Sequence, residues 1–208
     1  METICKRNGL ELSEEQLRKF EVYYGELLRW NRVHNLTRIT DPEGVIKRHF
    51  CDSLSLVKFF EDIGYSPSGK DIVDVGSGAG FPGVPLKIYY GEAVNLYLIE
   101  SVSKKCAFLT NLKRRLGLDY AVLCKMAQEV DKTFSVAVAR ALEVKGKRQS
   151  PLEYADKLLT PLATELIAIL KGREVNGEEL KRLGYSVYEV KMPDLKGLKV
   201  VYKRVRRD

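Results

Sequence analysis

"DIVDVGSGAGFPG", Asp71 to Gly83, reads as a short buried strand followed by four glycines in eight residues. A chain turns this tightly after a strand when a ligand must lie against its backbone, because glycine reaches positive φ and leaves no side chain in the way. Gly78-Ala79-Gly80-Phe81-Pro82-Gly83 matches the GxGxxG dinucleotide fingerprint. In such a site the helix after the glycines points free N–H groups at a pyrophosphate. Here Pro82 and Pro85 remove two donors at that place. The glycines also start earlier, as Gly76-Ser77-Gly78-Ala79-Gly80, close behind Asp74 at the strand's end. An acid beside the loop repels phosphate and suits a ligand carrying an ammonium and a sulfonium. S-adenosylmethionine is such a ligand, and it has no phosphate. The next strand ends "YLIE", which places Glu100 to take both ribose hydroxyls of either an adenosyl or a dinucleotide ligand. No Gly-Lys-Ser/Thr follows the glycines, which excludes a P-loop.

Working outward, strand and helix patterns alternate from residue 66 onward. "DIVDV", "VNLYLIE", "YAVLCKM", "SVAVAR" and "ELIAIL" read as strands, with helices over "VPLKIYY", "KKCAFLTNLKRRLG", "PLEYADKLL" and "NGEELKRLG". That alternation predicts an α/β fold with a mostly parallel sheet and helices on both faces. The last two strands, "YSVYEV" and "LKVVYKRV", have no helix between them and are expected to form an antiparallel pair at one edge. Residues 1–65 read as an N-terminal helical segment packed on the core formed by 66–208. Ser13 with Gln16 forms a capping box ahead of Leu17, Phe20, Tyr24, Leu27 and Leu28 at helical spacing. Asp41 and Pro42 start a further helix through "RHFCDSLSLVKFF". On it, Arg48 and Asp52 stand at i,i+4, with His49 between them.

The chain carries a net charge of +7 over 208 residues, which points to a polyanionic partner as readily as to a solvated surface. The basic residues concentrate in "KKCAFLTNLKRR", "VKGKR" and "KVVYKRVRRD". No apolar run approaches the ~20 residues that span a bilayer, and the N-terminus lacks the apolar core of a signal peptide. Cys5, Cys51, Cys106 and Cys124 are scattered, with no CxxC pair and no Cys/His cluster. No metal is expected, and free thiols in a reducing cytoplasm are.

With "DVGSGAGFPGVPLKI", the stretches "NRVHNLT" (31–37), "RHFCDSL" (48–54), "ARA" (139–141) and "LKG" (170–172) resemble the glucose-inhibited division protein B family of 16S ribosomal RNA methyltransferases. The resemblance covers nearly the whole chain. It implies a Rossmann-like class I S-adenosylmethionine-dependent methyltransferase fold with N-terminal helices. It also implies methyl transfer to N7 of a guanine in the decoding-region loop of 16S rRNA, either as free RNA or in the small subunit. Gly76 and Phe81 match the family's cofactor positions, joining Asp74, Ser77, Gly78, Gly80 and Glu100 from the loop reading. Ala127 and Gln128 match the segment around the adenine, and Arg140 an arginine at the cofactor and substrate edge. Where several relatives have arginine before the adenine segment, this chain has Met126. Guanine N7 carries a lone pair and no proton, so no general base is expected and catalysis reduces to proximity and alignment, with Arg140 positioning. RNA contacts are expected from Arg48, Lys145, Lys147, Arg148, Lys171, Lys203, Arg204, Arg206 and Arg207, in a monomeric cytoplasmic enzyme. Two other readings stay open at this point: a nucleotide-dependent oxidoreductase, from the literal GxGxxG, and a non-catalytic RNA-binding protein on the same scaffold.

Overall fold

A computed structural model describes residues 1–140, 142, 150–171 and 175–205. Helices α1 (Glu2–Arg7) and α2 (Glu14–His34) open the chain. The expected capping box starts α2, with Ser13 Oγ accepting from the Gln16 N–H and Gln16 Oε1 from the Ser13 N–H. The next helix departs from a plain α pattern. Asp41 caps α3 (Pro42–Val45), the chain widens into a π-helical turn at Ile46–Cys51, and then resumes as α4 (Asp52–Asp62). Such turns inside helices often accompany functional sites, because the extra residue re-aims the side chains around it.

Strands β1 (Asp71–Val75), β2 (Asn95–Ile99), β3 (Ala121–Leu123), β4 (Phe134–Arg140), β5 (Ala163–Lys171), β6 (Ser186–Glu189) and β7 (Lys199–Arg204) form one sheet in the order β3-β2-β1-β4-β5-β7-β6. The first five run parallel. β7 is antiparallel both to β5 and to β6, which makes the closing pair an antiparallel edge. The connecting helices are α5 (Gly83–Tyr90), α6 (Ser103–Leu116), α7 (Pro151–Leu159) and α8 (Gly177–Leu183). Strand alternation sorts the apolar side chains into two cores. Ile72, Leu98, Val136, Val138 and Leu166 join Phe20, Tyr23, Leu27, Phe59 and Leu109 from the N-terminal and α4–α6 side. Val73, Val75, Ala137, Ala139 and Ile167 pack with Leu152, Ala155 and Leu159 of α7 on the other. Residues from 1–65 therefore sit in one continuous core with the sheet.

The order reverses between β1 and β4, so the loop after β1 and the end of β4 flank the topological switch point, where open α/β sheets place their ligands.

One sequence expectation is corrected. Cys106 and Cys124 form a disulfide, whereas all four cysteines were expected as free thiols. β3 lies parallel beside β2, which brings the residue just past β3 against the first turn of the helix that leaves β2. A separation of 18 residues without a CxxC gives no hint of that meeting. Cys5 and Cys51 are buried thiols with their sulfurs 3.8 Å apart. Among the described residues no group of His, Cys, Asp and Glu could hold a metal ion, and no helix is long and apolar enough to cross a membrane.

Candidate active site

The glycine loop is shaped by its own backbone. Gly76, Gly78 and Gly80 have φ of +73°, +58° and +95°, values that L side chains adopt only under strain. A Cβ on Gly78 would meet nothing closer than the Gly76 carbonyl at 3.8 Å, so this glycine leaves open space over the turn for a ligand. Glu100 is buried and closes the loop from β2: its carboxylate accepts from the Gly78 N–H at 2.9 Å and the Val102 N–H at 2.8 Å. Each oxygen keeps a further lone pair, so the carboxylate can still receive hydroxyls from a ligand. Ser77 points inward, its hydroxyl donating to the Asp74 carbonyl at 2.9 Å, so it supports the turn through its side chain.

Asp74 is wholly buried beneath the loop and accepts from the Gly83 N–H at 2.9 Å. Its other oxygen, Oδ1, has no hydrogen-bond partner. Burial pushes its carboxyl up to about 7, and Glu100 adds to that, against the lowering effects of Gly83, Ser77 and Arg140. The same contact decides what α5 can offer. Gly83 gives its N–H to Asp74, Val84 gives its N–H to the Gly80 carbonyl at 2.8 Å, and Pro85 has none. The first three helical positions thus have no N–H left for a pyrophosphate. An adenosyl ligand without phosphate fits this loop; a dinucleotide does not.

Between Gly76, Glu100, Met126, Gln128, Leu142 and Tyr154 lies a cleft at the C-terminal ends of β1 and β2. Ala127 and Gln128, in a short 3-10 turn, line it. Tyr154 and Leu158 of α7 line it as well, and nothing in the sequence singled them out, since their spacing reads as an ordinary helix. A larger groove of about 740 Å³ lies on the outside of α6, along Ala107, Asn111, Arg114 and Leu118. It is an open trough along the C-terminal half of α6, with no acid at its wall and away from the ends of β1 and β4, and is not the site.

The other wall is built from side chains. Arg140, ending β4, pairs with Asp52 at 2.7 Å, donates to the Arg48 carbonyl, and lies 3.1 Å from His49 Nδ1. Asp52 thus takes Arg140 as its cation, where the i,i+4 spacing pointed to Arg48. Burial raises the Asp52 carboxyl to about 6, with Arg140 acting against it. Burial and the charge of Arg140 lower His49 to about 4, which leaves the ring neutral. His49 stacks on Phe81, ring centroids 4.6 Å apart, and Phe81 stacks on Tyr23 at 5.3 Å. Tyr23 donates to the Ala79 carbonyl at 2.5 Å and so ties α2 to the glycine loop. The sequence shows Tyr23 only as one residue near the apolar face of α2, with no sign of that bond.

The basic residues separate. Arg48 is exposed beside Arg140, and Lys171 ends β5 at the same end of the sheet, half-buried, with its amine pushed below the usual lysine value by burial. Lys203 and Arg204 are not brought to the site: because β7 runs antiparallel, Arg204 pairs with Leu166 and donates to the Ile63 carbonyl, while Lys203 pairs with Asp156 at 3.2 Å. Lys145, Lys147, Arg148, Arg206 and Arg207 lie outside the described residues.

Comparison with known proteins agrees with this geometry. The family model described as rRNA small subunit methyltransferase G matches residues 16–196. A Ribosomal RNA small subunit methyltransferase G from Aquifex aeolicus is 46% identical over 97% of this chain and 98% of its own length. One from Desulfitobacterium hafniense is 34% identical over 91% of this chain and 80% of its own. Among solved structures, magnesium protoporphyrin IX methyltransferase from Synechocystis with bound SAM superposes with a TM-score of 0.61 at 13% identity, covering 95% of this chain and 99% of that one. A SAM-dependent methyltransferase from Aquifex aeolicus gives 0.58 at 21% identity, over 82% and 97%. At those identities the structural likeness shows the fold alone, whereas the sequence relatives go further. With its glycine turn, its acid-capped α5 and near full-length identity to them, this chain belongs to the rRNA small subunit methyltransferase G family.

Proposed function

We infer that the protein transfers a methyl group from S-adenosylmethionine to guanine N7 in the decoding-region loop of 16S ribosomal RNA, acting as a monomer in the cytoplasm. The observation that carries the cofactor half is the N-terminus of α5, where Asp74 and the Gly80 carbonyl occupy both N–H groups and Pro85 supplies none. Bound there, S-adenosylmethionine supplies an electrophilic methyl group on a sulfonium. Gly76, Gly78 and Gly80 give the backbone surface on which it lies. Glu100 is placed for the ribose hydroxyls, Ala127 and Gln128 for the adenine, and Phe81 for the wall behind the loop, where its ring is already sandwiched. Asp74 acts from beneath, by fixing the loop and placing negative charge near a cationic ligand. Arg140 stands across the switch point from the loop, at the edge where a base would enter. Arg48 and Lys171, at the same end, are placed to meet RNA phosphates. Residues 1–65 serve as a helical segment that buttresses the loop through Tyr23.

Guanine N7 presents a lone pair, so the protein has to align nucleophile, methyl carbon and sulfur and has no proton to remove. The test is incubation with methyl-labelled S-adenosylmethionine and 16S rRNA, naked and in small subunits, from cells lacking the modification. Reduction and aniline treatment then cut the chain at N7-methylguanine. A single cut in the decoding-region loop is expected; label without cleavage would move the target atom, and no label with cofactor bound would remove the catalytic reading.

A further inference from the structure

Arg140 is gripped from one short segment far away in sequence. Its Nη2 reaches Asp52 and the Arg48 carbonyl, and its Nη1 reaches His49 Nδ1. A guanidinium has five N–H groups and no acceptor, so His49 Nδ1 must accept in that contact. The imidazole proton then sits on Nε2, where it donates to Thr37 Oγ1 at 2.8 Å. Nδ1 also lies 3.0 Å from the Arg48 carbonyl. With Nδ1 unprotonated, these are two acceptors facing each other, and the guanidinium relieves the repulsion by donating to both. The π-helical turn makes this possible: it places the Arg48 carbonyl, the His49 ring and the first residue of α4 around one point. His49 is further pinned by its stack on Phe81, and Asp52 is buried with Arg140 as its one cation among the described residues.

We propose that Asp52 and His49 are positioning residues that fix the Arg140 guanidinium at the switch point, so that an N–H left free on it donates to O6 of guanine, leaves the N7 lone pair for the methyl group, and rejects adenine. The inference rests on the guanine-methylating reading above. Asp52 takes one N–H, the Arg48 carbonyl a second and His49 a third, which leaves two of the five. Guanine offers only acceptors on its major-groove edge, whereas adenine sets an N6–H₂ donor beside N7. Donors held by a buried carboxylate and a fixed tautomer cannot turn away to suit the wrong base, which is how a positioned hydrogen bond discriminates.

The experiment compares Asp52→Asn, His49→Asn, His49→Gln and Arg140→Ala in the full chain, by three measurements. The first is the Nε–Hε resonance of Arg140 in an NMR spectrum of the protein without RNA. The second is affinity for S-adenosylhomocysteine by calorimetry, and the third kcat and KM with undermethylated small subunits. Asp52→Asn is expected to broaden or abolish the arginine resonance and lower kcat/KM at least tenfold, while S-adenosylhomocysteine affinity stays within threefold. His49→Asn keeps an acceptor where Nδ1 stood and should retain more activity than His49→Gln, whose amide reaches only toward Thr37. Added to Arg140→Ala, Asp52→Asn should change nothing further, because residues acting through one group are not additive. An unchanged resonance with full kcat/KM in Asp52→Asn overturns the proposal. So does a loss that adds in full to Arg140→Ala, or a parallel fall of cofactor affinity and thermal midpoint in all four variants. Should the wild type label no RNA, the guanine reading falls with it, while the resonance still decides whether Asp52 holds Arg140.

Discussion

On one wall of the cleft the contacts join near neighbours in the chain. Glu100 holds Gly78 and Val102, Asp74 holds Gly83, and Ser77 holds the Asp74 carbonyl, all between residues 74 and 102. On the other wall Arg140 meets Arg48 and His49 across 92 and 91 residues, and its partners there are side chains as much as backbone. The first wall is specified by where the backbone is allowed to go, the second by functional groups that only tertiary packing brings together. They should therefore fail differently: the loop when a methyl group is added, the arginine wall when a polar atom is exchanged.

The most damaging way to probe the loop is Gly80→Ala. At φ +95° the new Cβ would lie 2.6 Å from the Tyr23 hydroxyl and 2.9 Å from Val84 Cγ2. Backbone strain and overlap together should destabilise by about 3 kcal/mol and weaken S-adenosylhomocysteine binding at least a hundredfold by calorimetry. Gly78→Ala, with open space at its Cβ, should lose ligand binding while keeping more of the thermal midpoint. Equal midpoints in the two variants would mean that the loop is not held by Tyr23 and Val84 as described.

Asp74→Asn separates charge from shape at the base of the same wall. The Asp74 carboxyl titrates near 7 when folded and at 3.8 in the unfolded chain. A raised folded value means that its contribution to stability is whole below the unfolded value and is lost as pH rises through 7. From pH 5 to 8 the loss should come to roughly 3 kcal/mol. His49, lowered to about 4, acts in the opposite sense across its own range, so the measurement is the difference between wild type and Asp74→Asn. Thermal midpoints should fall more steeply with pH in the wild type, even as the variant binds S-adenosylhomocysteine less well. Parallel profiles would sink the assignment.

The disulfide belongs to the loop wall too: the Cys106 sulfur lies 3.2 Å from the Glu100 carbonyl oxygen. Closing 18 residues limits the unfolded chain by up to about 3 kcal/mol, before any strain is subtracted. Urea unfolding with and without a phosphine reductant should show a midpoint shift of that order, and Cys106→Ser should remove the reductant's effect. Coincident curves would show the link to be energetically idle.

How far each wall could be read from sequence follows from the same contrast. The loop was legible because glycines at alternate positions, an acid and two prolines each state a local backbone requirement. So were the alternating strands, the antiparallel closing pair and the Ser13 capping box, whose signals lie within a few residues. The π-helical turn was not legible: "IKRHFC" has ordinary helical spacing, and the groups that meet the wide turn, Arg140 and Phe81, lie far from it in sequence. The Arg140–Asp52 pair was illegible for the same reason, since the i,i+4 spacing of Arg48 and Asp52 presumes a regular α-helix and points to no residue of β4. The Cys106–Cys124 link needed the pairing of β2 with β3, which no residue in either strand announces. The placement of Lys203 and Arg204 was lost likewise, since it depends on β7 running against β5.

The smallest of these effects tests whether the two walls are coupled. Tyr23 touches both: its hydroxyl donates to the Ala79 carbonyl of the loop, and its ring lies on Phe81, which also stacks on His49. Tyr23→Phe keeps the ring and removes the donor, leaving a buried carbonyl with one partner fewer. That should lower stability by about 1 kcal/mol. If the hydroxyl serves only the loop, S-adenosylhomocysteine affinity falls by less than tenfold and kcat at saturating cofactor is unchanged. If it also sets Phe81 and hence His49, the Arg140 Nε–Hε resonance moves and KM for the small subunit rises with it. The aromatic stack predicts the second result, because rings in contact along one line cannot shift independently in a close-packed core. A variant that weakens cofactor binding while leaving that resonance in place would show that the two walls, though built against one another, work separately.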